Sequence, residues 1–212
     1  LKYQKTSHVH LDFEELKTIA ATPMPDSRTE IARDWLIISC FTAQRVSDFL
    51  RFSKDKLVEM KGMLFLDISQ KKTGKPLYIP LTKEVTDILD KRDGEFPPAF
   101  SNHPEGNKTI YNSLIKDVCR IAKIHNKVTA HRKNPRTNRY EFMEVPKYKA
   151  VSTHIGRRSF ATNYYGKINT ALLINATGHS SEAQFLKYVG KDGNQQALTL
   201  AKAMKSFAEQ SA

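Results

Sequence analysis

The chain has 212 residues, 40% hydrophobic and 26% charged, which is ordinary for a soluble globular protein and enough for one compact domain with a single core. No apolar run is long enough to span a bilayer, and the N-terminal stretch lacks the charged-then-apolar order of a signal peptide. Lys and Arg number 34 against 22 Asp and Glu, a formal charge of +12, so the expected partner is a polyanion, with simple solubility charge as the plain alternative.

Asp12 with Glu15 reads as a capping box that opens a helix running to about Ala21. Pro23-Met24-Pro25 breaks it. A second helix is predicted from about Arg28 to Phe41, with Ile31, Trp35, Leu36 and Ile38 on a wide apolar face. A short third helix follows Arg45, with Val46, Phe49 and Leu50 inward. Gly62 ends the linker behind it. Residues 63–69 (MLFLDIS) and 76–81 (PLYIPL) read as antiparallel strands joined by the basic turn Lys71-Lys72-Thr73-Gly74-Lys75. Thr82 is placed to cap a helix carrying Val85, Ile88 and Leu89.

Residues 95–106 read as a Pro/Gly-rich loop. Ile110, Leu114, Val118 and Ile121 then recur at helical spacing. Lys127 to Lys149 reads as a basic hairpin or extended insertion, with turn chemistry at Asn134-Pro135 and around Thr137-Asn138. Helices resume near Thr153, Ala171 and Ser181, and Gln195 to Phe207 forms a last amphipathic helix with Leu198, Ala201 and Met204 on one face. The fold class that follows is mainly α with a small antiparallel sheet (α+β), in one domain over residues 1–212.

The positive charge is uneven. Residues 127–158 hold nine Lys or Arg against two acids, Glu141 and Glu144, a local field suited to a phosphate backbone. No strongly amphipathic basic helix accompanies it, which ranks a lipid surface below nucleic acid. Cys40 and Cys119 have neither CxxC nor metal-ligand spacing and read as buried free thiols of a reducing compartment.

The chemistry-bearing residues cluster late in the chain: His154-Ile155-Gly156-Arg157, then Gly178-His179, then Tyr188. A guanidinium stays charged and grips phosphate oxygens in a fork, imidazoles move protons near neutrality, and a phenol can be a covalent nucleophile. Upstream lie Arg45-Val46-Ser47-Asp48 and Lys72-Thr73-Gly74. In this order and at these spacings, with Tyr188 nine residues after His179, the set resembles the catalytic domain of the tyrosine recombinase (phage integrase) family. The matching elements run from Arg45 to Tyr188, most of the chain. Each is weak alone; their order makes the signal.

The resemblance implies catalytic roles for Arg45, Lys72, His154, Arg157, His179 and Tyr188, with Asp48 supporting from behind. The physical reading agrees. Fixed cations at Arg45 and Arg157 would stabilise the extra charge of a pentavalent phosphoryl state. Ionising Tyr188 at pH 7 costs roughly 4 kcal/mol from its reference pKa near 10, so it needs cationic neighbours and a proton acceptor. His154 is the candidate acceptor or phosphate partner, and His179 a donor to a non-bridging oxygen. A Lys on a flexible turn can protonate the leaving 5′-oxygen; Lys72 fits best, with Lys71 and Lys75 close enough to compete.

Plainer readings stand beside these. Arg45 and Asp48 could form a weak surface ion pair at i,i+3. Tyr164 and Tyr165 follow the HxxR box too closely to be the nucleophile and are expected to pack. Ser159 near His154 could imitate a hydrolase pair, though no GxSxG elbow accompanies it. The chain departs from the family pattern at Ala43, commonly Gly; at Asp48, commonly Glu; and at Arg158, often His.

Expected partners are double-stranded DNA, contacted by Lys71, Lys75, Arg132, Lys133, Arg136, Arg139 and Arg158, and three further copies in a tetramer on DNA, the isolated chain being monomeric. No metal, cofactor or membrane is expected, and the setting is a bacterial or phage-encoded protein at the nucleoid. The family's N-terminal core-binding domain is expected to be missing from this chain, and residues 195–212 to dock on a neighbouring protomer. A type IB topoisomerase-like activity and a non-catalytic DNA-binding module remain the alternatives.

Overall fold

The fold was derived from a computed structural model that describes residues 9–69 and 76–190, with positions 197, 198, 200, 201, 204, 205 and 209 of the C-terminal tail. Lys71, Lys72 and Lys75, and most of the predicted last helix, lie outside the described residues.

The organising element is helix α2 (Ser27–Thr42), which Asp26 caps by accepting from the Thr29 amide at 2.8 Å. Its apolar residues were expected on one face. Instead nearly every residue from Ala32 to Thr42 is buried, because other helices pack around it. Helix α1 (Phe13–Ala21) opens with the predicted capping box, both reciprocal bonds formed. Helices α4 (Lys83–Asp90) and α5 (Pro104–Ile121) also pack against α2, as does α7 (Ile155–Tyr164). Trp35, 1% exposed, anchors the centre by stacking on Phe96 and donating its indole N–H to the Pro98 carbonyl at 3.0 Å.

Two antiparallel sheets flank the helices. Strands β1 (Leu57–Met60), β2 (Met63–Ser69) and β3 (Pro76–Pro80) form one in sequence order, with Leu66 opposite Ile79 against the core. Strand β1 was read only as linker; it turns into β2 at Lys61-Gly62, both at positive φ. Strands β4 (Lys127–Lys133) and β5 (Tyr140–Pro146) form the other, a two-stranded ribbon. The predicted basic insertion is therefore a hairpin. Its loop is closed by Asn138 in the left-handed region and by the Asn134 side chain accepting from the Arg136 amide. Lys147, at the base of the ribbon, is 6% exposed and ion-paired to Glu15. It belongs to the core and leaves the external basic field.

Short helices α3 (Val46–Phe49), α6 (Lys147–Ala150), α8 (Thr170–Thr177) and α9 (Glu182–Leu186) complete the described fold. Three expectations shift. Helix α5 begins at Pro104, inside the predicted loop. Thr82 occupies the N-cap of α4, but its hydroxyl makes no capping bond. Ser159 serves the fold: its Oγ accepts from the Leu11 amide at 2.8 Å while Asn163 donates to the Leu11 carbonyl at 2.9 Å, pinning the N-terminal segment to α7. Cys40 and Cys119 are buried free thiols, and burial pushes Cys40 up to about 12. Among the described residues, no helix is long and apolar enough to cross a membrane.

Candidate active site

Three chain reversals bring distant side chains together. The first follows α2, where Ala43 takes φ +58° and is fully buried. A left-handed conformation costs a non-glycine residue roughly 1–2 kcal/mol. The turn aims the Ala43 carbonyl into the site, where it accepts from Arg157 Nη1 at 2.9 Å. Gln44 locks the same turn, donating from Nε2 to the Thr42 carbonyl at 2.8 Å and to the Ala176 carbonyl at 2.9 Å on α8. Arg45 then stands at the N-cap of α3, half-buried.

The second reversal leads into α7. Gly156 lies where α7 crosses α2 at closest approach: a Cβ there would come within 2.4 Å of Ser39 Oγ and 2.7 Å of the Ser39 carbonyl. Only glycine permits this crossing, which sets His154 at the N-cap of α7 and Arg157 in its first turn. Arg157 is 2% exposed. Burial, then the charge of Arg45, lowers it to about 10, while Tyr188 and Asp48 pull the other way. Two guanidiniums thus repel each other in a half-dry cleft.

The third reversal follows α8. Gly178 caps the helix in the left-handed region and delivers His179. His179 Nε2 lies 3.2 Å from Arg157 Nη2, and Nδ1 lies 2.7 Å from Thr177 Oγ1. Burial, then Arg157 and Arg45, lowers this imidazole to about 4. Partial burial, then Arg158, Arg157, Lys108 and Arg45, also holds His154 below its ordinary value.

Tyr188 sits in the turn after α9, its chain anchored by buried Val189 and by the Gly190 amide donating to Thr162 Oγ1 at 2.9 Å. The Tyr188 ring is half-buried. It lies 4.8 Å from the His179 ring, 6.3 Å from the His154 ring, and 5.6 Å from the Arg157 guanidinium carbon. The phenol is near enough to pull the Arg157 guanidinium upward against its burial.

Arg45, His154, Arg157, His179 and Tyr188 therefore converge. Arg158 joins them: it is partly buried, and burial lowers it against the opposing pull of Tyr188. Asp48, 2% exposed, accepts from Arg51 Nη2 at 3.2 Å. Of the ribbon cations, Arg132 is half-buried, while Lys133, Arg136 and Arg139 are exposed. Tyr164 packs on Phe13 and Phe160 and Tyr165 on Phe185, as expected of residues that are not the nucleophile. Gln44, Gly156 and Thr177 were not singled out by sequence. The only local hint was that each sits inside or beside a motif that was.

The profile of the phage integrase family, by description the "Phage integrase family", matches residues 10–195. The chain belongs to the phage integrase family. No curated protein matches it by sequence. Solved structures share its fold at low identity. XerH site-specific recombinase, bound to a palindromic difH substrate in a post-cleavage complex, aligns over 95% of this chain and 54% of its own, with TM-score 0.62 and 18% identity. A lambda integrase dimer bound to a COC' core site aligns over 90% and 62%, with TM-score 0.58 and 18% identity. The Tn1549 transposon integrase with circular intermediate DNA aligns over 94% and 67%, with TM-score 0.59 and 15% identity. The fold is that of a tyrosine recombinase catalytic domain. The chain spans about half to two thirds of the length of these structures.

Proposed function

We propose that this chain is the strand-cleaving domain of a site-specific DNA recombinase or integrase, with Tyr188 as nucleophile. The observation that carries the reading is the convergence of the phenol with Arg157 and His179 in a half-buried, positively lined cleft. The Tyr188 oxygen bonds to the scissile phosphorus as the bond to the 5′-oxygen breaks, leaving a 3′-phosphotyrosyl link and a free 5′-hydroxyl. The phenol proton passes to His154, and the departing oxygen takes one from Lys72. Arg45 and Arg157 hold the non-bridging oxygens, where fixed donors contribute most as charge develops. Asp48 supports Arg157 from behind the site. A 5′-hydroxyl from a partner strand reverses the step. One phosphodiester is exchanged for another, so no ATP enters.

The DNA backbone runs past Arg158 at the cleft and along Arg132, Lys133, Arg136 and Arg139 of the ribbon, with Lys71 and Lys75 beside the general acid. Synapsis uses four copies, each passing its tail (residues 195–212) to a neighbour. Leu198, Leu200 and Met204 of that tail are exposed and suited to such a contact. A separate N-terminal domain of the parent protein completes the clamp, so this chain alone binds duplex weakly and with steep salt dependence. The protein is bacterial or phage-encoded and works in the cytoplasm, at the nucleoid.

The test is a nicked suicide duplex carrying the parent's recombination site, incubated in EDTA. A covalent adduct that Tyr188→Phe abolishes is the expected result. Normal duplex binding by the parent with no adduct would make the chain a binding module, and relaxation of supercoils by a monomer without strand exchange would make it a topoisomerase.

A further inference from the structure

His179 is held at both ring nitrogens, and the two contacts impose the same protonation. Thr177 is fully buried. Its Oγ1 lies 2.8 Å from the Leu173 carbonyl, 3.2 Å from the Ile174 carbonyl and 2.7 Å from His179 Nδ1. A carbonyl oxygen only accepts, so the one hydroxyl proton goes back into helix α8. Oγ1 then faces Nδ1 with a lone pair, which matches a hydrogen on Nδ1. At the other edge Nε2 faces Arg157 Nη2 at 3.2 Å. A guanidinium only donates, so Nε2 must be bare.

We propose that Thr177 is a positioning residue of the cleavage reaction: it fixes His179 in the Nδ1–H tautomer, so that the ring engages a phosphate only after Nε2 has taken up a proton. This rests on the recombinase reading above. In the resting site Nε2 is an acceptor and would repel a phosphate oxygen. When the phosphate enters, the Arg157 N–H turns from Nε2 to a phosphoryl oxygen. Nε2 then binds one proton from solvent and donates it as a hydrogen bond to the same group. The anion compensates the cations that disfavour this proton in the empty site. The charged and titratable groups facing the ring are Arg157 from α7, Arg45 at the start of α3 and Tyr188 beyond α9; Phe185 packs edge-on at 5.8 Å. His179 remains a donor to a phosphate oxygen, with a protonation step placed before it. The threonine hydroxyl and the Arg157 guanidinium together select which nitrogen is available.

The experiment uses the full chain with 15N-labelled histidine, in wild type, Thr177→Ser and Thr177→Val, each checked by thermal melting. Nitrogen shifts of His179 are read in the free protein and with a non-cleavable duplex in the Tyr188→Phe background. The expected result is a protonated Nδ1 and bare Nε2 in the free wild type and Ser variant, with both nitrogens protonated on the duplex. Thr177→Val, which keeps the shape and removes the hydroxyl, leaves the Nδ1–H without this acceptor, and its nitrogen shifts move away from the wild-type values. Its adduct formation falls roughly tenfold, the worth of about one hydrogen bond, with an altered pH profile, and the Ser variant recovers it. A protonated Nε2 in the free wild type overturns the proposal. So does a well-folded Val variant with unchanged shifts and pH profile. Absence of any adduct in the wild type sinks the recombinase reading instead, and leaves the free-protein tautomer to be judged by its nitrogen shifts.

Discussion

Replacing Gly156 with Ala opposes two physical effects whose sign can be measured. Alanine is the better helix former by about 1 kcal/mol, so propensity alone makes Gly156→Ala stabilising. The new methyl, however, would lie 2.4 Å from Ser39 Oγ, 2.7 Å from Ser39 Cβ and 2.7 Å from the Ser39 carbonyl. Carbon contacts settle near 3.5–4.0 Å, so α7 must retreat from α2 by about 1 Å. Ser39 cannot swing away to relieve this, because its Oγ is bonded to the Leu36 carbonyl and the carbonyl belongs to a buried helix. Overpacking of this kind costs about 1–3 kcal/mol, which outweighs the propensity gain. The net of about 0–2 kcal/mol corresponds to a melting point lower by up to roughly 8 °C for a domain of this size. Arg157 is the next residue and travels with α7. A misplacement near 1 Å costs on the order of 100-fold in rate, so adduct formation on the suicide duplex should fall by that much well below the melt. Adding Ser39→Ala should not rescue it, because the carbonyl contact remains. A Gly156→Ala variant that melts at or above wild type and forms adduct at the wild-type rate would refute the close-approach argument.

Arg157→Lys should lower adduct formation on the order of 10²–10³-fold while the chain stays folded by circular dichroism, since an ammonium cannot span the Ala43 carbonyl and the phosphate together. Gln44→Ala removes the bond that closes the turn on the Thr42 carbonyl and the one that ties it to Ala176 on α8, and urea unfolding should report a loss of about 1–2 kcal/mol. His179 is depressed from 6.5 to about 4 when folded, so the unfolded chain takes its proton first as pH falls. Stability from this group is full above about pH 6.5 and is lost between there and pH 4. The gap in urea midpoint between pH 7 and pH 5 should shrink in His179→Gln. Lys72→Met should block cleavage of an ordinary duplex but cleave one whose leaving 5′-oxygen is replaced by sulfur, which departs without an acid; equal defects on both substrates would move the role to Lys71 or Lys75.

What could be read from the sequence divides by the range of the interactions involved. The Asp12–Glu15 capping box is local, and both of its bonds form as expected. Arg45, His154, Arg157, His179 and Tyr188 were legible because chemistry restricts their residue types and the chain order restricts their places. Strand β1 was missed because four residues give too short an alternation to separate from linker. The burial of α2 on all sides follows from packing by α1, α3, α4, α5 and α7, which periodicity within one helix does not report. Ser159 looked like a neighbour of His154, yet its partner is Leu11, 148 positions away. Gln44 finds Ala176 across 132 positions. Such supporting residues carry ordinary side chains whose meaning is set by the partner.

The same long-range packing explains how the site proposed for a phosphate holds its cations before any ligand arrives. Arg157 Nε and Arg45 Nη1 are buried without a hydrogen-bond partner among the described residues. A buried donor left unpaired costs about 1–3 kcal/mol, more when charged. The two cations also oppose each other, as the lowering of Arg157 by Arg45 records. Neither arrangement would persist at a surface, where side chains turn to water. Here the Ala43 carbonyl, the Gly156 crossing and the Gln44 ties hold the guanidiniums in place. Under the proposed reaction, an anion entering the cleft relieves the repulsion between the two guanidiniums. That relief grows with the negative charge, so a pentavalent phosphoryl group gains more from it than the diester from which it forms.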